Sequence, residues 1–330
     1  MNSFGRIFRV TIFGESHGEC VGITIDGCPA GLKLSAEDLL PDLERRKGGI
    51  QKGTTPRKED DFPIFKSGLF NGKTTGFPIT ILFENKNIRS EDYEKQRSIP
   101  RPGHADWVAH QKFGGNEDYR GGGHFSARLT AGIVAAGGIA KKLIPQVKIE
   151  ATVIEIAGEK DLEKGLQKAI NAKDSVGGII ECRTNGLPVG LGEPYFDSIE
   201  SSLAQIIFSI PAVRGVEFGT GFPAAKMFGS EHNDAIENMI GKTRTNHAGG
   251  VVGGITNGNE LVFRLAIKPT SSTPKEQNSL NWDTEKVENF TIKGRHDLCI
   301  ALRVPVVLEA VTAIVMADLL MLEQKVGRIL

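Results

Sequence analysis

Alternation of apolar and polar positions is the first order visible along this chain. Seven runs are rich in β-branched and aromatic residues: Phe8 to Phe13, Val21 to Ile25, Phe77 to Phe83, Val147 to Ile156, Gly178 to Arg183, Gly215 to Phe218 and Glu260 to Ala266. Several of them alternate with period two, which predicts strands in sheets with one covered face. Apolar positions three and four apart predict helices over Ala36 to Arg46, Ser126 to Leu143, Ser198 to Phe208 and Leu308 to Val326, the last with apolar residues at 311, 314, 315, 319 and 322. Long polar or glycine-rich stretches at 46–61, 86–104, 112–125 and 268–289 read as connections, and connections of this length in a packed protein are commonly functional. Strands and helices mix throughout, and no Pro/Ser-rich linker divides the chain. The expectation is one α/β domain covering residues 1–330.

Composition narrows the classes. With 330 residues, 39% of them hydrophobic, the chain can bury a substantial core. Its 40 basic and 40 acidic residues cancel, so no net field draws it to nucleic acid or to an acidic membrane surface, and neither is expected as a partner. The four cysteines, Cys20, Cys28, Cys182 and Cys299, have no CxxC spacing and are too few for a disulfide framework; they read as reduced thiols in a cytoplasm. The N-terminal run has charged residues where an export signal has an unbroken apolar segment, and no later stretch reaches about 18 uncharged apolar residues. Neither export nor membrane insertion is expected.

Three familiar motifs fail on inspection. Gly68 to Thr74 resembles a Walker A loop, but only three residues separate its glycines, and the following Thr75 to Leu82 holds a proline and alternates like a strand where a phosphate loop opens a helix. No HExxH occurs, and His104 and His110 are six apart, so no metal is expected. Gly121-Gly122-Gly123 continues as His-Phe-Ser and does not complete a dinucleotide fingerprint.

Histidines and arginines near glycine carry the chemistry. Five of the seven histidines, His17, His104, His124, His247 and His296, have a glycine within two positions. Histidine gains or loses a proton near neutral pH, and arginine grips phosphate or carboxylate with a two-pronged fork, so together they suit the departure of a phosphate. Any one of these histidines could simply close a loop; three clusters, around His17, His104 and His296, favour a site. The basic run Arg45, Arg46, Lys47, Lys52, Arg57 and Lys58 could equally be a solvated helix end. Ser126 and the preceding amides stand where an anion could rest at a helix start, or where a cap would serve. Lys268, Thr270, Ser271 and Ser272 form a reasonable phosphate cup or an ordinary polar turn.

The segments GESHG at 14–18, RPGHAD at 101–106, YRGGGHFSAR at 119–128, TNHAGG at 245–250, KPTSS at 268–272 and KGRHD at 293–297, in this order, closely resemble the chorismate synthase family. Gly215-Val216-Glu217, Leu191 to Pro194 and Lys73 to Gly76 match as well, so the likeness covers nearly the whole chain. The resemblance implies a βαβ sandwich of α+β type, helices lying between antiparallel sheets, assembled as a homotetramer. It implies a lyase that converts 5-enolpyruvylshikimate 3-phosphate to chorismate by 1,4-anti elimination of phosphate with loss of a C6 hydrogen, the last step of the shikimate pathway to aromatic amino acids. Reduced FMN is required but not consumed. A chain of 330 residues without a large insertion resembles the members that depend on an external flavin reductant, with NADPH as an associated cofactor.

Position by position, His17 resembles the acid that protonates the departing phosphate, His104 the residue that protonates or steadies N1 of the reduced flavin, and Asp297 the carboxylate that helps flavin N5 accept the substrate proton. Arg46, Arg57, Arg101, Arg128 and Arg295 fall at or near substrate-binding positions. Ser126, Asn246, Ala248, Lys268, Thr270, Ser271 and Ser272 fall where FMN is held. The chain departs from the common pattern in two places: it reads GGGHFSAR where many members have GGGRSSAR, putting His124 and Phe125 in place of an arginine and a serine, and it has one extra residue around Lys52. Competing readings are a flavin-dependent oxidoreductase built on the same cups and a non-catalytic binder of phosphorylated metabolites.

Overall fold

Val21, Ile23 and Ile25 face Phe83, Ile81 and Ile79 across one antiparallel pair, and all six side chains are fully buried. This is the inner face of the first sheet in the computed structural model, which describes residues 2–49, 52–55, 59–86, 97–292, 296–323 and 327. The sheet comprises Ser3–Phe4 (β1), Arg9–Gly14 (β2), Cys20–Asp26 (β3), Ile64–Phe65 (β4) and Ile79–Glu84 (β5), ordered β1-β2-β3-β5-β4 and antiparallel throughout. A second antiparallel sheet holds Lys148–Ile156 (β6), Gly178–Asn185 (β7), Val213–Phe218 (β8) and Leu261–Ile267 (β9) in the order β8-β9-β7-β6. Its inner face carries Ile180, Cys182, Leu261, Phe263 and Leu265, all buried.

Each of the seven expected strand runs is present, displaced by no more than two residues at either end. Among the described residues, the helices of seven residues or more are Leu40–Arg46 (α1), Asp106–Phe113 (α2), Thr130–Leu143 (α3), Leu162–Ala172 (α4), Ile199–Ile207 (α5) and Val304–Leu322 (α6). Helix α3 packs on the first sheet and α6 on the second, and the two pack on each other, so the layers run sheet, helices, sheet. Such mixed, antiparallel layering is the α+β arrangement expected from the resemblance.

Helix α6 is apolar on every side because a sheet and other helices surround it. Residues Ile300–Leu322 are long and apolar enough to cross a membrane, but 89% of their apolar window is buried inside the protein. Its two charged side chains are satisfied. Asp318 accepts the backbone N–H groups of Arg6, Ile7 and Phe8 at 2.9, 2.7 and 2.8 Å. Glu309 receives both arms of Arg45 at 2.7 Å and Lys141 at 3.0 Å. Burial alone would raise the Glu309 carboxyl, but these cations hold it below its ordinary value.

Several boundaries differ for identifiable reasons. Helix α1 begins at Leu40 instead of Ala36, because Pro41 sets the first turn and Asp38 ties back to the Ser35 amide. The run from Ser126 opens as a 3-10 turn, Ala127–Leu129, before α3. Helix α6 starts at Val304, with Pro305 in its first turn, four residues before the expected start. The stretch 268–289, read as a connection, folds into a hairpin of Gln277–Asn281 (β10) and Lys286–Phe290 (β11). Its polar, exposed strands gave no strong apolar alternation. Residues Leu69–Phe70 and Lys73–Thr74 pair as a short hairpin, so of the Walker-like glycines Gly72 sits in the β-turn and Gly68 in the bend before its first strand.

All four cysteines are free thiols, and burial pushes Cys28 and Cys182 up to about 12. They are inert packing residues at neutral pH.

Candidate active site

A cavity of about 520 Å³ opens where the N-termini of α3 and α6 meet the end of β9. It brings together Arg46, Arg101, His104, Ser126, Arg128, Lys268, Thr270, Ser271, Ser272 and Asp297, ten of the residues expected from the sequence. Their spread over the chain explains the long connections: each arrives on a segment joining sheet to helix. Among the described residues the cavity is lined by the cations Arg46, Lys47, Arg101, Arg128, Lys268 and Arg303 and the carboxylates Glu59, Asp61 and Asp297, while Asp106 and Glu44, outside the lining, pair with Arg101 and Lys47. Six cations against these five carboxylates leave a small local positive excess in a chain of zero net charge. The two helix N-termini add partial positive charge, so the cavity is suited to a polyanion.

The basic run after α1 is not one solvated face. Arg46 is buried, with Nη1 donating to Thr130 Oγ1 at 3.3 Å and Nη2 to Asp61, whereas Arg45 turns away to Glu309. Asp61 also receives Arg128 Nη1, and Arg128 is fixed further by Asn85 Oδ1 at 2.9 Å and the Glu84 carbonyl at 3.2 Å. Burial would raise the Asp61 carboxyl; the two guanidiniums hold it below its ordinary value.

Arg101, His104 and Asp106 form a second cluster. Arg101 grips Asp106 through Nε at 2.7 Å and Nη2 at 2.8 Å, and His104 Nδ1 lies 2.6 Å from Asp106 Oδ1. Burial would raise Asp106, but the hydrogen bonds from Arg101 and His104 keep it far below the usual carboxylate range. An ionised Asp106 makes His104 Nδ1 the protonated nitrogen, so the Arg101 Nη2 contact at 3.0 Å to that atom is a close approach between donors. The pairing leaves Nε2, which lies over Gly122, as the ring atom able to act on a ligand.

Asp297 accepts the Thr55 N–H at 2.8 Å and lies 3.1 Å from Arg303 Nη1, while Arg303 Nε donates to the Arg46 carbonyl at 3.0 Å. Arg303 and Asp61 were not singled out in the sequence. The only cue for Arg303 is a cation just before the Val304-Pro305 helix start; Asp61 sits unmarked in the acidic run Glu59-Asp60-Asp61.

The glycine turn Gly121-Gly122-Gly123 has three successive positive φ values, 60°, 82° and 51°. This lets Gly121 lie directly against His17: a Cβ there would stand 2.4 Å from His17 Cδ2 and 2.6 Å from Nε2. His17 itself is buried and does not line the cavity; Gly121, which does, separates them. Gly121→Ala should therefore displace the imidazole and lower kcat by about tenfold or more, with no further loss on adding His17→Ala. Equal kcat for Gly121→Ala and the unsubstituted protein would count against the acid role that the resemblance implies for His17.

The cup after β9 is made by Lys268, whose ammonium donates to the Gly103 carbonyl and to Ser271 Oγ at 2.9 Å, and by Ser272, which accepts from Arg101 at 3.3 Å. Burial lowers the Lys268 ammonium from its ordinary value, with Arg214 adding to the effect. Thr270 Oγ1 is buried with no hydrogen-bond partner among the described residues, as a group awaiting a ligand would be. Ser126 caps the 3-10 turn by accepting the Arg128 N–H at 3.2 Å. His124 lines the cavity, with Nδ1 2.9 Å from the Gly14 carbonyl.

Asn246 and Ala248 do not line this cavity. Asn246 donates to the Glu260 carbonyl at 2.8 Å, and the Ala248 N–H donates to Asp234 at 2.9 Å. Arg57 and Arg295 lie outside the described residues.

Layered α+β folding and a cationic cavity with paired His–Asp and Arg–Asp groups define an enzyme that acts on a small polyanion. The comparisons make this particular. The family model for chorismate synthase matches residues 8–321, and the chain belongs to that family. It is 68% identical over 330 residues to a chorismate synthase of Chitinophaga pinensis, covering 100% of this chain and 99% of that one. It is 42% identical over 364 residues to one from Methanocaldococcus jannaschii, covering 97% and 96%. A crystal structure of chorismate synthase superimposes with a TM-score of 0.73 at 28% identity, covering 98% of this chain and 94% of that one.

Proposed function

We propose that this chain, as one domain throughout, is a chorismate synthase that eliminates phosphate from 5-enolpyruvylshikimate 3-phosphate in a 1,4-anti sense to give chorismate. The observation that carries the reading is the cluster of cations around one cavity, with Arg46 and Arg128 buried among them, in a chain that the family model spans almost completely. A substrate with a phosphate and two carboxylates needs several cations at once, and arginine meets each with a planar fork. Arg46, Arg101 and Arg128 bind and orient these groups, joined by Arg57 and Arg295 from the resemblance. Cation pairing with the phosphate makes it a better leaving group.

Reduced FMN fits the cup. Ser126, Lys268, Thr270, Ser271 and Ser272 would hold it, the unpartnered Thr270 hydroxyl being the clearest vacancy for a polar ligand atom. When bound, reduced FMN lends electron density to the bond-breaking event and returns unchanged. His104, with Nδ1 held by Asp106, would use its free Nε2 as the group that steadies the bound cofactor. From the resemblance, His17 would supply the acid for the departing phosphate, although Gly121 stands between its ring and the cavity here, and Asp297, oriented by Thr55 and Arg303, would assist transfer of the substrate proton.

A homotetramer is supported by exposed apolar side chains in the segments around β8: Phe196, Phe222, Phe228 and Met239 are 93%, 81%, 77% and 101% exposed. Free, reduced cysteines support a cytoplasmic location, where an external reductant drawing on NADPH keeps the flavin reduced.

With chemically reduced FMN and no oxygen, the purified protein is expected to release phosphate and form chorismate in equal amounts from 5-enolpyruvylshikimate 3-phosphate. No phosphate release from folded protein would overturn the assignment, and stoichiometric NADPH oxidation would favour the oxidoreductase reading instead.

A further inference from the structure

Asp61 is the least expected residue of the cavity. Its side chain is 1% exposed, and its two oxygens take one guanidinium each, Arg46 on one side and Arg128 on the other, whose side chains are 5% and 4% exposed. Its backbone has φ 48°, a left-handed conformation that a non-glycine residue adopts at a cost. A polyanion site that spends a buried carboxylate and a strained backbone position on its own cations gives up attraction for its ligand. Charge alone argues against Asp61 being there; geometry argues for it.

The geometry is specific. Arg46 has Nη1 on Thr130 and Nη2 on Asp61, while Nε is buried with no partner among the described residues. Arg128 has Nε on Asn85, Nη2 on the Glu84 carbonyl and Nη1 on Asp61. Without the carboxylate, two like charges would stand side by side in a desolvated pocket and push apart. With it, both planes are fixed before any ligand arrives.

Resting on the reading of this cavity as the substrate site, we propose that Asp61 is a positioning residue that presets Arg46 and Arg128 as a paired anion receptor. It touches neither substrate nor cofactor; it acts through the two arginines. Its removal makes the cavity more positive and yet weakens binding, because the receptor loses its arrangement. That sign separates positioning from charge balance. A carboxylate that merely offset two cations would, on removal, leave a polyanion bound as tightly or more tightly.

The test is calorimetric titration of 5-enolpyruvylshikimate 3-phosphate into the full-length protein loaded with oxidised FMN, which permits binding without turnover, alongside steady-state turnover with reduced FMN. Asp61→Asn is expected to raise Kd by about tenfold or more, a loss of the size seen when a charge-assisted contact goes, and to lower kcat/KM at least as much. Asp61→Glu keeps the charge on a longer arm and should lie between the two. Should Asp61→Asn fail to fold, Asp61→Glu decides the matter, since an unchanged Kd there would show that the arm length, and with it the positioning, is irrelevant. An unchanged or lower Kd in folded Asp61→Asn, even with a reduced melting temperature, would overturn the proposal while leaving the enzyme's identity intact. Failure of the unsubstituted protein to bind this substrate would instead overturn the functional reading, and this one with it.

Discussion

Asp297→Asn is expected to keep substrate binding within a few-fold of the unsubstituted protein and to lose about 10²–10⁴-fold in kcat, the range attributable to a proton-transferring side chain. The asparagine keeps the shape of the carboxylate and one oxygen for the Thr55 N–H, now 2.8 Å away, so the loop around it has no reason to collapse. What it loses is the basic oxygen and the charge that faces Arg303 at 3.1 Å. Arg303 is nearly buried, and burial already lowers its guanidinium, with Asp297 opposing that shift. Some loss of stability is therefore expected, and a melting curve distinguishes it from loss of chemistry. Single-turnover phosphate release at saturating substrate measures the step itself. A kcat within threefold of normal would mean that Asp297 only anchors Arg303.

The layers of the fold were legible because their pattern is local. Val21, Ile23 and Ile25 alternate in sequence exactly as they alternate across the sheet, and the same holds for Ile79, Ile81 and Phe83. Helix α4 went unread although the sequence carries it: Leu162, Leu166, Ala169 and Ile170 recur at helical spacing and Asp161 caps the start by accepting the Lys164 N–H at 3.2 Å, with Gly165, packed against the Ile156 carbonyl, as the one local counter-signal. Hairpin β10–β11 escaped because its strands are mostly polar. In the site, motif residues were found because glycine and histidine mark them. Asp61 and Arg303 were not, because their importance lies in partners 15 and 67 positions away for Asp61 and 257 away for Arg303. No local spacing records such contacts. The same holds for Asn246 and Ala248, whose motif is clear but whose place is on the Asp234 loop, outside this cavity.

Gly137→Ala is expected to destabilise the protein by about 2 kcal/mol or more, although the same change in an exposed helix would stabilise it by about 1 kcal/mol. The reason is the crossing of α3 and α6. A Cβ on Gly137 would stand 2.3 Å from the Ala310 Cβ and 2.4 Å from its Cα, and the Cα cannot swing aside as a side chain can. The helices must separate, and both carry the cavity at their N-termini: Thr130 opens α3, and Arg303 directly precedes α6. The neighbouring Gly138 supplies the control. A Cβ there meets only the Leu39 Cδ2 at 2.8 Å, the far end of a flexible side chain, so Gly138→Ala should be close to neutral. Chemical denaturation of the two variants side by side gives the answer: equal midpoints would show that the helix crossing tolerates a methyl group. If Gly137→Ala also lowers kcat/KM while Gly138→Ala does not, the spacing of the two central helices sets the geometry of Arg128 and Arg303, and the core of the sandwich is part of the catalytic apparatus.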